Sequence, residues 1–380
     1  MPKTLLITID FPPMFGGVAN YWANLCKILP NDKIVVLASE CDDSLDFDVK
    51  QNYLIYRKVL ISKQKWLWPK WLPFLFWSFK LAHAEGVGKI IVAHILPGGT
   101  IAYILKLLLG IPYIVSVHGL DIALPQRNKR KLWLMKKILR RADAVIANSD
   151  YTKNELLKLG CADELKIEIV YPCSNINSAP IDVEKIQEFL RQHKLENKKI
   201  ILTTGRLIER KGHDKVIEAL PQIIAAAPDV VYLIVGNGEN LDNLRARALE
   251  KNLQDRVLFF TDIMDSEMPI FYQAADVFIM PCRCLDNGDI EGFGIVFLEA
   301  SLFGKPAIAG RSGGAVEAIE HNVSGLLVDP LNVDEIARAA IALLGDEKRA
   351  RELGEAGKQR VLRKFNWQEQ GRKLERIINN

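Results

Sequence analysis

Short apolar runs alternate with helix-like segments from the start of the chain. The runs "TLLITI", "KIVVLA" and "KIIVAHI" are separated by segments with helical spacing, among them "VANYWANLCKIL" and "AYILKLLLG". Short apolar strands that are bounded by turns and joined through helices are typical of a parallel sheet with helices on both faces. The pattern therefore predicts a doubly wound α/β fold.

The same pattern begins again in the second half of the chain. "KKIILTTGRL" is strand-like, "HDKVIEALPQIIAAAP" has helical spacing, and "VVYLIVGNG" and "AADVFIMPC" are further strands. We therefore expect two doubly wound units. Two such units that face each other would leave a cleft at the carboxyl ends of their strands, where this architecture binds its ligands.

The domain boundaries follow from a polar stretch near residues 172–199, which separates the two series. We predict an N-terminal Rossmann-like domain over 1–175 and a C-terminal Rossmann-like domain over 176–364. A helical tail over 365–380 is expected to pack back on the N-terminal domain. The length of 380 residues fits two domains of ordinary size.

The composition excludes several classes of protein. The chain is 49% hydrophobic and 25% charged, as is typical of globular proteins. Its first apolar run is broken by Asp10, which favours a β-strand over a signal peptide, and no run reaches the about 18 apolar residues of a membrane-spanning helix. The cysteines, including the close pair Cys282 and Cys284, lack the spacing of a zinc site, so we expect free thiols and no metal.

The basic residues are concentrated in one part of the chain. Residues 51–141 contain sixteen Lys and Arg but two acidic residues, Glu85 and Asp121, which is a net charge of +14. Because the whole chain carries +4, the remainder carries −10. A basic region on a nearly neutral protein indicates an anionic partner, which is a membrane, a nucleic acid or a phosphorylated ligand.

Two segments of this region combine aromatic with basic residues. Residues 62–80 contain four Trp and three Phe among four Lys, and Pro69 and Pro73 prevent one long helix. Residues 127–141 form a second basic segment with helical spacing. Trp and Lys are typical of segments at a membrane surface. We favour an anionic membrane over a core helix with a solvated basic face and over a nucleic-acid site.

Glycines and polar residues follow two strands of the first predicted domain. Gly16 and Gly17 open a helix after the first strand, so that backbone N–H groups can approach a phosphate. His118, Gly119 and Asp121 follow the buried run "PYIVSV". A histidine at the carboxyl end of a strand points toward the ligand and can donate or accept a hydrogen bond. The alternatives are a plain turn and a structural histidine.

Two cations follow the first strand of the second predicted domain. Arg206 comes directly after Gly205, and Lys211 precedes Gly212 five residues later. On a glycine-flanked loop, an arginine fork and a lysine point charge are suited to a diphosphate. The alternative is a solvated basic loop.

The segment "EGFGIVFLEA", residues 291–300, has a carboxylate near each end of an apolar run. Glu291 lies just before the predicted helix, whereas Glu299 lies within it. A carboxylate inside an apolar helix must be paired or hydrogen-bonded, and the hydroxyl groups of a sugar-like ligand would serve. The alternative is an acidic residue that the helix dipole favours, together with one surface glutamate.

Eight motifs occur in order along the two predicted domains: "FPPMFGG", "HGLD", "ANSDYT", "GRLIERKG", "GNG", "EGFGIVFLEA", "GKPAIAGRSGGAVEAI" and "GLLVDP". Together they resemble the family-four retaining glycosyltransferases, which use nucleotide sugars and have the GT-B fold. This resemblance covers nearly the whole chain and implies two Rossmann-like, doubly wound parallel-sheet domains that face each other across a cleft. Within the family, the sequence of these motifs is most similar to bacterial GDP-mannose-dependent phosphatidylinositol mannoside mannosyltransferases.

The resemblance implies roles for residues near the reacting centre. Arg206 and Lys211 would neutralise the donor diphosphate as the leaving group departs. Gly16 and Gly17 would approach the diphosphate from the other domain. His118 would contact the transferred sugar close to the reacting carbon.

Further roles are implied for the segment that begins at Glu291. Glu291 itself would hydrogen-bond the sugar hydroxyls, and Glu299 would hydrogen-bond the ribose. Backbone N–H groups around Phe293, Gly294 and Ile295 would hold the sugar and the phosphate.

The implied reaction is the metal-independent, front-face transfer of a hexose, best mannose from GDP-mannose, with retained configuration and without a cofactor. The expected acceptor is a lipid or lipid-linked molecule, which places the enzyme in the cytoplasm, peripheral on the inner face of the cell membrane. Nucleic acid is not expected as a partner. Alternatives are a UDP-sugar-dependent transferase for cell-surface polysaccharide or lipopolysaccharide, and an inactive nucleotide-binding regulator. A dinucleotide oxidoreductase is disfavoured because G-x-G-x-x-G is missing from the sequence.

Overall fold

The computed structural model describes residues 2–14, 16–64 and 66–380. Contacts divide the chain into two compact units. The first comprises Met1–Pro172 together with Trp367–Asn380, and the second comprises Cys173–Asn366. Each unit contains one parallel sheet, so the prediction of two doubly wound α/β units is confirmed.

The sheet of the first unit is built from strands that the helices cover on both faces. Its strands are β1 Lys3–Ile7, β2 Ile34–Ser39, β3 Leu54–Lys58, β4 Val87–Val92, β5 Tyr113–Val117, β6 Ala144–Ala147 and β7 Ile167–Ile169. Within the described residues they pair in parallel in the order β3-β2-β1-β4-β5-β6-β7. Leu5 of β1, for example, lies opposite Val35 of β2 and Ile90 of β4.

The helices of the first unit connect these strands. They are α1 Gly17–Ile28, α2 Ser44–Asp48, α3 Leu72–Ala84, α4 Thr100–Leu109, α5 Leu120–Gln126, α6 Lys129–Arg141 and α7 Asp150–Lys158. One face of the sheet packs on α3, α4 and α6, where Phe74, Leu105 and Ile138 are fully buried. The other face packs on α1 through Trp22 and Leu25. The apolar face of each helix therefore closes one side of the core.

The second unit repeats this plan with a shorter sheet. Its strands are β8 Lys199–Thr204, β9 Val230–Val235, β10 Val257–Phe260, β11 Val277–Met280, β12 Ala307–Gly310 and β13 Gly325–Val328. Its helices are α8 Val183–Gln192, α9 His213–Ala226, α10 Leu241–Glu250, α11 Met268–Ala274, α12 Ile295–Leu302, α13 Ala315–Ala318, α14 Val333–Gly345 and α15 Glu347–Lys364. In the part of the chain that the structure describes, the strand order is β10-β9-β8-β11-β12-β13.

The last helix, α16 Trp367–Asn379, returns to the first unit. It packs on α1, where Leu374 is fully buried and a β-carbon at Gly371 would overlap with Ile28. The side-chain oxygen of Gln370 accepts a hydrogen bond of 2.9 Å from the backbone N–H of Tyr171. α16 thereby completes the core on the α1 face of the first sheet.

Each sheet reverses its strand order at one position. The reversal lies between β1 and β4 in the first sheet and between β8 and β11 in the second. The connections leave the sheet in opposite directions at such a point, so a crevice opens outside the carboxyl ends of the two strands. Ligands of this architecture bind at such a crevice, so the loops that follow these four strands are candidates for a functional site.

Candidate functional site

A buried ion cluster lies at the reversal point of the second sheet. Oε2 of Glu291 is 2.7 Å from Nζ of Lys211 and 2.5 Å from Nη1 of Arg210. All three side chains are buried. Burial acts to raise the pKa of Glu291, but Lys211 and Arg210 outweigh it and lower this pKa to about 2. Glu291 is thus a carboxylate at neutral pH.

The two oxygens of the Glu291 carboxylate differ in their contacts. Among the described residues, Oε2 of Glu291 receives both cations, and Oε1 has no hydrogen-bond partner. An ionised oxygen of this kind can only accept hydrogen bonds. The cluster therefore offers one fixed acceptor to a ligand hydroxyl.

Backbone contacts hold the two loops of the cluster together. Gly212 has a φ of +78°, and a β-carbon there would lie 2.3 Å from the carbonyl oxygen of Pro281. The backbone N–H of Arg283 donates to the carbonyl of Arg210 at 2.8 Å. The Arg283 guanidinium forms a two-pronged ion pair with Asp214, at 2.8 and 3.0 Å. These contacts tie the loop after β8 to the loop after β11.

Arg206 differs from the other cations of the loop because it is exposed. Its side chain forms no ion pair or hydrogen bond with the residues that the structure describes. Its backbone is nevertheless fixed, since the next residue, Leu207, donates from its N–H to the carbonyl of Asn237 at 2.9 Å. Arg206 therefore presents an uncompensated positive charge from a rigid loop.

The helix α12 begins at the same edge of the sheet. Gly294, with a φ of +87°, immediately precedes it, and a β-carbon there would lie 2.6 Å from the ring of Phe297. The first turn, which starts at Ile295, has no side-chain cap and no acidic residue. Phe293 buries its ring against Phe365. The start of α12 thus has backbone N–H groups available to an anion or a hydroxyl.

Glu299 lies one turn further along α12 and is half-buried. The hydroxyl group of Tyr272 donates to its Oε2 at 2.6 Å, and that hydroxyl is also 2.7 Å from Oγ1 of Thr204. Burial raises the pKa of Glu299. A carboxylate in an apolar helix requires a hydrogen-bond partner, and for one oxygen of Glu299 the protein supplies this partner through Tyr272.

The predicted residues of the first unit lie at its own reversal point. Gly16 and Gly17 are exposed at the start of α1, which has no side-chain cap. One turn further along α1, the Tyr21 ring meets the ring of His118 edge-on, with centroids 5.2 Å apart. Nε2 of His118 lies 2.9 Å from Oγ of Ser116. The first two turns of α1 and the His118 side chain therefore lie close together.

A second histidine, His94, follows β4 beside His118. Its Nε2 lies 3.1 Å from Oδ2 of Asp10, and its Nδ1 lies 3.7 Å from Oδ1 of Asp121. Burial acts to lower the pKa of His94, but the two carboxylates raise it to about 9. Burial lowers the pKa of His118 to about 4. The two neighbouring histidines therefore carry different charges at neutral pH.

Both aromatic and basic segments of the first unit carry exposed tryptophans. Trp66, Trp68 and Trp133 are 78%, 83% and 62% exposed. Lys80 lies over the ring of Trp77, and Lys137 lies over that of Trp133. Between α3 and α6 lies α4, whose last residues, three leucines, are also exposed. In the described part of the chain, no helix is both long and apolar enough to cross a membrane.

Four of the residues described above were not among the sequence-based candidates: Arg210, Tyr272, His94 and Asp10. Arg210 directly precedes Lys211, and His94 ends the strand-like run "KIIVAHI". Adjacency to Lys211 could therefore have indicated Arg210, and position at the end of a strand could have indicated His94. Tyr272 carries no such signal, because its hydroxyl reaches Glu299 from a different helix.

Comparison with known proteins matches both halves of the chain to family models. "Glycosyl transferases group 1" matches residues 185–360, and "Glycosyltransferase Family 4" matches residues 15–177. The chain is 31% identical to the GDP-mannose-dependent alpha-(1-6)-phosphatidylinositol monomannoside mannosyltransferase of Mycobacterium tuberculosis (strain CDC 1551 / Oshkosh), over 98% of this chain and 97% of that protein. It is 30% identical to the GDP-mannose-dependent monoacylated alpha-(1-6)-phosphatidylinositol monomannoside mannosyltransferase of Corynebacterium glutamicum, over 100% and 98% of the two chains.

A solved structure shows the same arrangement of elements. The crystal structure of HepE from Anabaena in complex with UDP matches with a TM-score of 0.84 at 20% identity and covers 99% of each chain. At this identity the likeness concerns the fold alone.

Proposed function

Because the chain belongs to the group 1 glycosyltransferases, with a family 4 N-terminal half, we propose that it transfers mannose from GDP-mannose to a lipid or lipid-linked acceptor with retention of configuration. The names of the two mannosyltransferase relatives support the choice of donor and the class of acceptor. The observation that carries the proposal is the buried Glu291 carboxylate between Lys211 and Arg210, close in sequence to the exposed Arg206.

The cations of the second unit have the charge that a departing diphosphate requires. Lys211 and Arg210 already share Glu291, and Nε of Arg210 also lies 3.3 Å from Oδ1 of Asp289, so these four groups are balanced. Arg206 adds a positive charge that has no partner among the described residues. In our proposal, Arg206 and Lys211 bind the diphosphate and stabilise the charge that develops on it, which makes a metal ion or a cofactor unnecessary.

The proposed reaction takes place on one face of the sugar. The bond between C1 of the mannose and the phosphate oxygen breaks, and a bond from C1 to the acceptor hydroxyl oxygen forms on the same face. The proton of that hydroxyl moves to the phosphate oxygen, and GDP leaves. Configuration at C1 is retained. His118 contacts the sugar near this carbon in our proposal, and Gly16 and Gly17 approach the diphosphate.

Two carboxylates orient the donor in this proposal. The free oxygen of Glu291 accepts hydrogen bonds from the sugar hydroxyls, because the ionised carboxylate has one oxygen left over. Glu299, with one oxygen bound to Tyr272, accepts a hydrogen bond from the ribose. The N–H groups around Phe293, Gly294 and Ile295 at the start of α12 hold the sugar and the phosphate.

We also propose that the first unit docks on an anionic membrane at the cytoplasmic face. Residues 62–80 and 127–141 supply exposed tryptophans beside lysines and arginines, and the leucines at the end of α4 are exposed as well. Positive charge attracts the protein to anionic lipid, and tryptophan side chains partition into the interface.

Two alternatives remain. The first is a UDP-sugar-dependent transferase for cell-surface polysaccharide or lipopolysaccharide; the solved neighbour, which shares the fold, is a complex with UDP. A nucleotide-binding regulator without activity would keep the same fold.

A panel of sugar nucleotides tests the donor. The purified protein is scored by thermal shift and by slow hydrolysis of GDP-mannose, UDP-glucose and UDP-galactose, with NAD as a control. We expect GDP-mannose to stabilise the protein and to be hydrolysed. Preference for a UDP-sugar would support the first alternative, binding without any turnover would support the second, and stabilisation by NAD alone would contradict the proposal.

Vesicle sedimentation tests the membrane surface. The protein should sediment with phosphatidylglycerol vesicles at low salt and be released at high salt, because screening weakens the attraction. A double variant, Trp68→Ser with Trp133→Ser, should bind less, whereas Leu249→Ser, an exposed residue of the second unit, should bind normally. Equal binding to neutral phosphatidylcholine vesicles would refute the electrostatic part of this proposal.

A further inference from the structure

Four titratable side chains meet where the strand order of the first sheet reverses. Asp10 follows β1, His94 follows β4, and His118 and Asp121 follow β5. His94 lies between the two carboxylates, 3.1 Å from Asp10 and 3.7 Å from Asp121. Its ring centroid is 6.5 Å from that of His118. The carboxyl ends of three strands are thus joined through one imidazole.

Asp121 links this imidazole to His118 through the backbone. One oxygen of Asp121, Oδ1, faces His94, and the other, Oδ2, accepts a hydrogen bond of 3.1 Å from the backbone N–H of His118. On its other side, the His118 ring touches Ser116 and Tyr21. A displacement of Asp121 would therefore move the residue that the proposed function places beside the reacting carbon.

We propose that His94 is a positioning residue: as an imidazolium between Asp10 and Asp121, it fixes the loop of His118 and keeps the His118 ring neutral. This inference rests on the proposed function only for the role of His118 toward the sugar. The charge on His94 and its effect on His118 are properties of the protein without substrate.

The charges around His94 explain why His94 is protonated and why His118 is neutral. Among the described residues, the titratable groups that face it are Asp10 from the loop after β1, and Asp121 and His118 from the segment after β5. Two carboxylates favour its protonated form. A cation at this distance then opposes a second positive charge on His118, where Nε2 is occupied by Ser116. A neutral His118 keeps its other ring nitrogen, Nδ1, for hydrogen bonding to a ligand.

The pKa shifts agree with this geometry and give a sign for the pH dependence of stability. The pKa of His94 in the folded protein is raised to about 9, above its ordinary value of 6.5. Its contribution to stability is therefore complete below pH 6.5 and is lost as the pH rises through about 9. The pKa of His118 is lowered mainly by burial. Asp121 acts to raise it, and the charge of His94 acts against Asp121 and lowers it.

NMR of the protein labelled with ¹⁵N at its six histidines tests the charge directly. At pH 7.5 both ring nitrogens of His94 should be protonated, whereas His118 should be neutral. The signals are assigned in the unmutated protein, by through-bond correlation of each ring with its own backbone. A His94 that is neutral at pH 7.5 in the unmutated protein would overturn the proposal, and this measurement requires no variant to fold.

The variant His94→Gln tests the coupling to His118. The pKa of His118 should rise by about one unit, because a nearby cation is removed. The kcat for the transferred sugar should fall at least about tenfold with little change in the KM of the donor. His83→Gln, at an exposed histidine of α3, is the matched control and should change neither.

The possible failures can be told apart. If His118 has the same pKa in the unmutated protein and in His94→Gln, the inference about His94 is wrong, whatever the activity. If the NMR shifts occur as expected but no sugar is transferred by the unmutated protein, the proposed function is wrong and the charge pairing still holds.

Discussion

Glu291 is a buried carboxylate and Glu299 a half-buried one, and the two have different partners. Glu291 is ionised because two cations share one of its oxygens, which lowers its pKa to about 2 despite burial. Glu299 has a tyrosine hydroxyl as its partner, and no cation among the described residues is in hydrogen-bond contact with it. Burial raises its pKa. A charged acceptor and a hydrogen-bonded acceptor therefore lie eight residues apart on the two sides of the start of α12.

A substitution of Arg206 should affect activity without affecting the stability of the fold. Because its side chain is exposed and makes no ion pair with the described residues, Arg206→Ala should change the free energy of unfolding by less than about 0.5 kcal/mol. If Arg206 binds the diphosphate, kcat/KM for GDP-mannose should fall by about 10²- to 10³-fold. Urea unfolding and steady-state kinetics measure the two quantities.

The matched control is Arg338→Ala, at an exposed arginine of α14. It removes the same side chain from the same unit and should leave both quantities unchanged. Equal loss of activity in the two variants would show that net charge, rather than the position of Arg206, governs donor turnover.

At the scale of elements, the start of α12 depends on a backbone conformation that favours glycine. Gly294 combines a φ of +87° with close packing on the ring of Phe297. Gly294→Ala should therefore destabilise the second unit by about 2 kcal/mol and move the first-turn N–H groups. Thermal unfolding should show the loss of stability, and the KM of the donor should rise because the helix start is displaced.

Gly345→Ala is the corresponding control within a helix. A β-carbon at this position of α14 meets no atom within 4 Å. The melting temperature of Gly345→Ala should be unchanged or slightly higher than that of the unmutated protein, because alanine restricts the unfolded chain. A Gly294→Ala variant as stable as this control would refute the role given to the glycine.

Helices α3 and α6 show why a pattern of apolar residues has two interpretations. Phe74 of α3 and Ile138 of α6 are buried in the core, whereas Phe76 of α3 and Trp133 of α6 are exposed. The sequence offered a core helix and a membrane-surface helix as alternatives. Both kinds of residue occur on the same helix, because one face covers the sheet and the other is free for a partner.

At the scale of the whole molecule, the chain ends in the unit where it began. Deletion of residues 367–380 should therefore expose the α1 face of the first sheet, including Trp22, while the second unit keeps its own core. Hydrogen exchange measured by mass spectrometry should show lost protection in peptides of α1 and β2 and unchanged protection in residues 185–360.

A deletion of the last two residues, 379–380, is the control, because both are exposed. It should leave the exchange of every peptide outside the terminus unchanged. Loss of protection throughout both units in the longer deletion would contradict the independence of the two cores.

The family and the GT-B fold predicted from the motifs are confirmed by the family models, the relatives and the solved neighbour. The roles given to Gly16, Gly17, His118, Arg206 and the other site residues stay predictions, and the variants at Arg206 and Gly294 test two of them. Lys211 and Glu291 were candidates from separate motifs, and the structure brings their side chains into contact.

The sequence by itself determined the elements and the kind of chemistry. The spacing of apolar residues, the positions of glycines and the local charge are properties of short segments. Strands, helix starts and cationic loops can therefore be predicted from the sequence. Only the tertiary structure decided which of these groups meet. Parallel pairing of β8 with β11 brings Lys211 to Glu291, and the order of β1, β4 and β5 places His94 between two carboxylates. Such contacts depend on strand order, which no local pattern specifies.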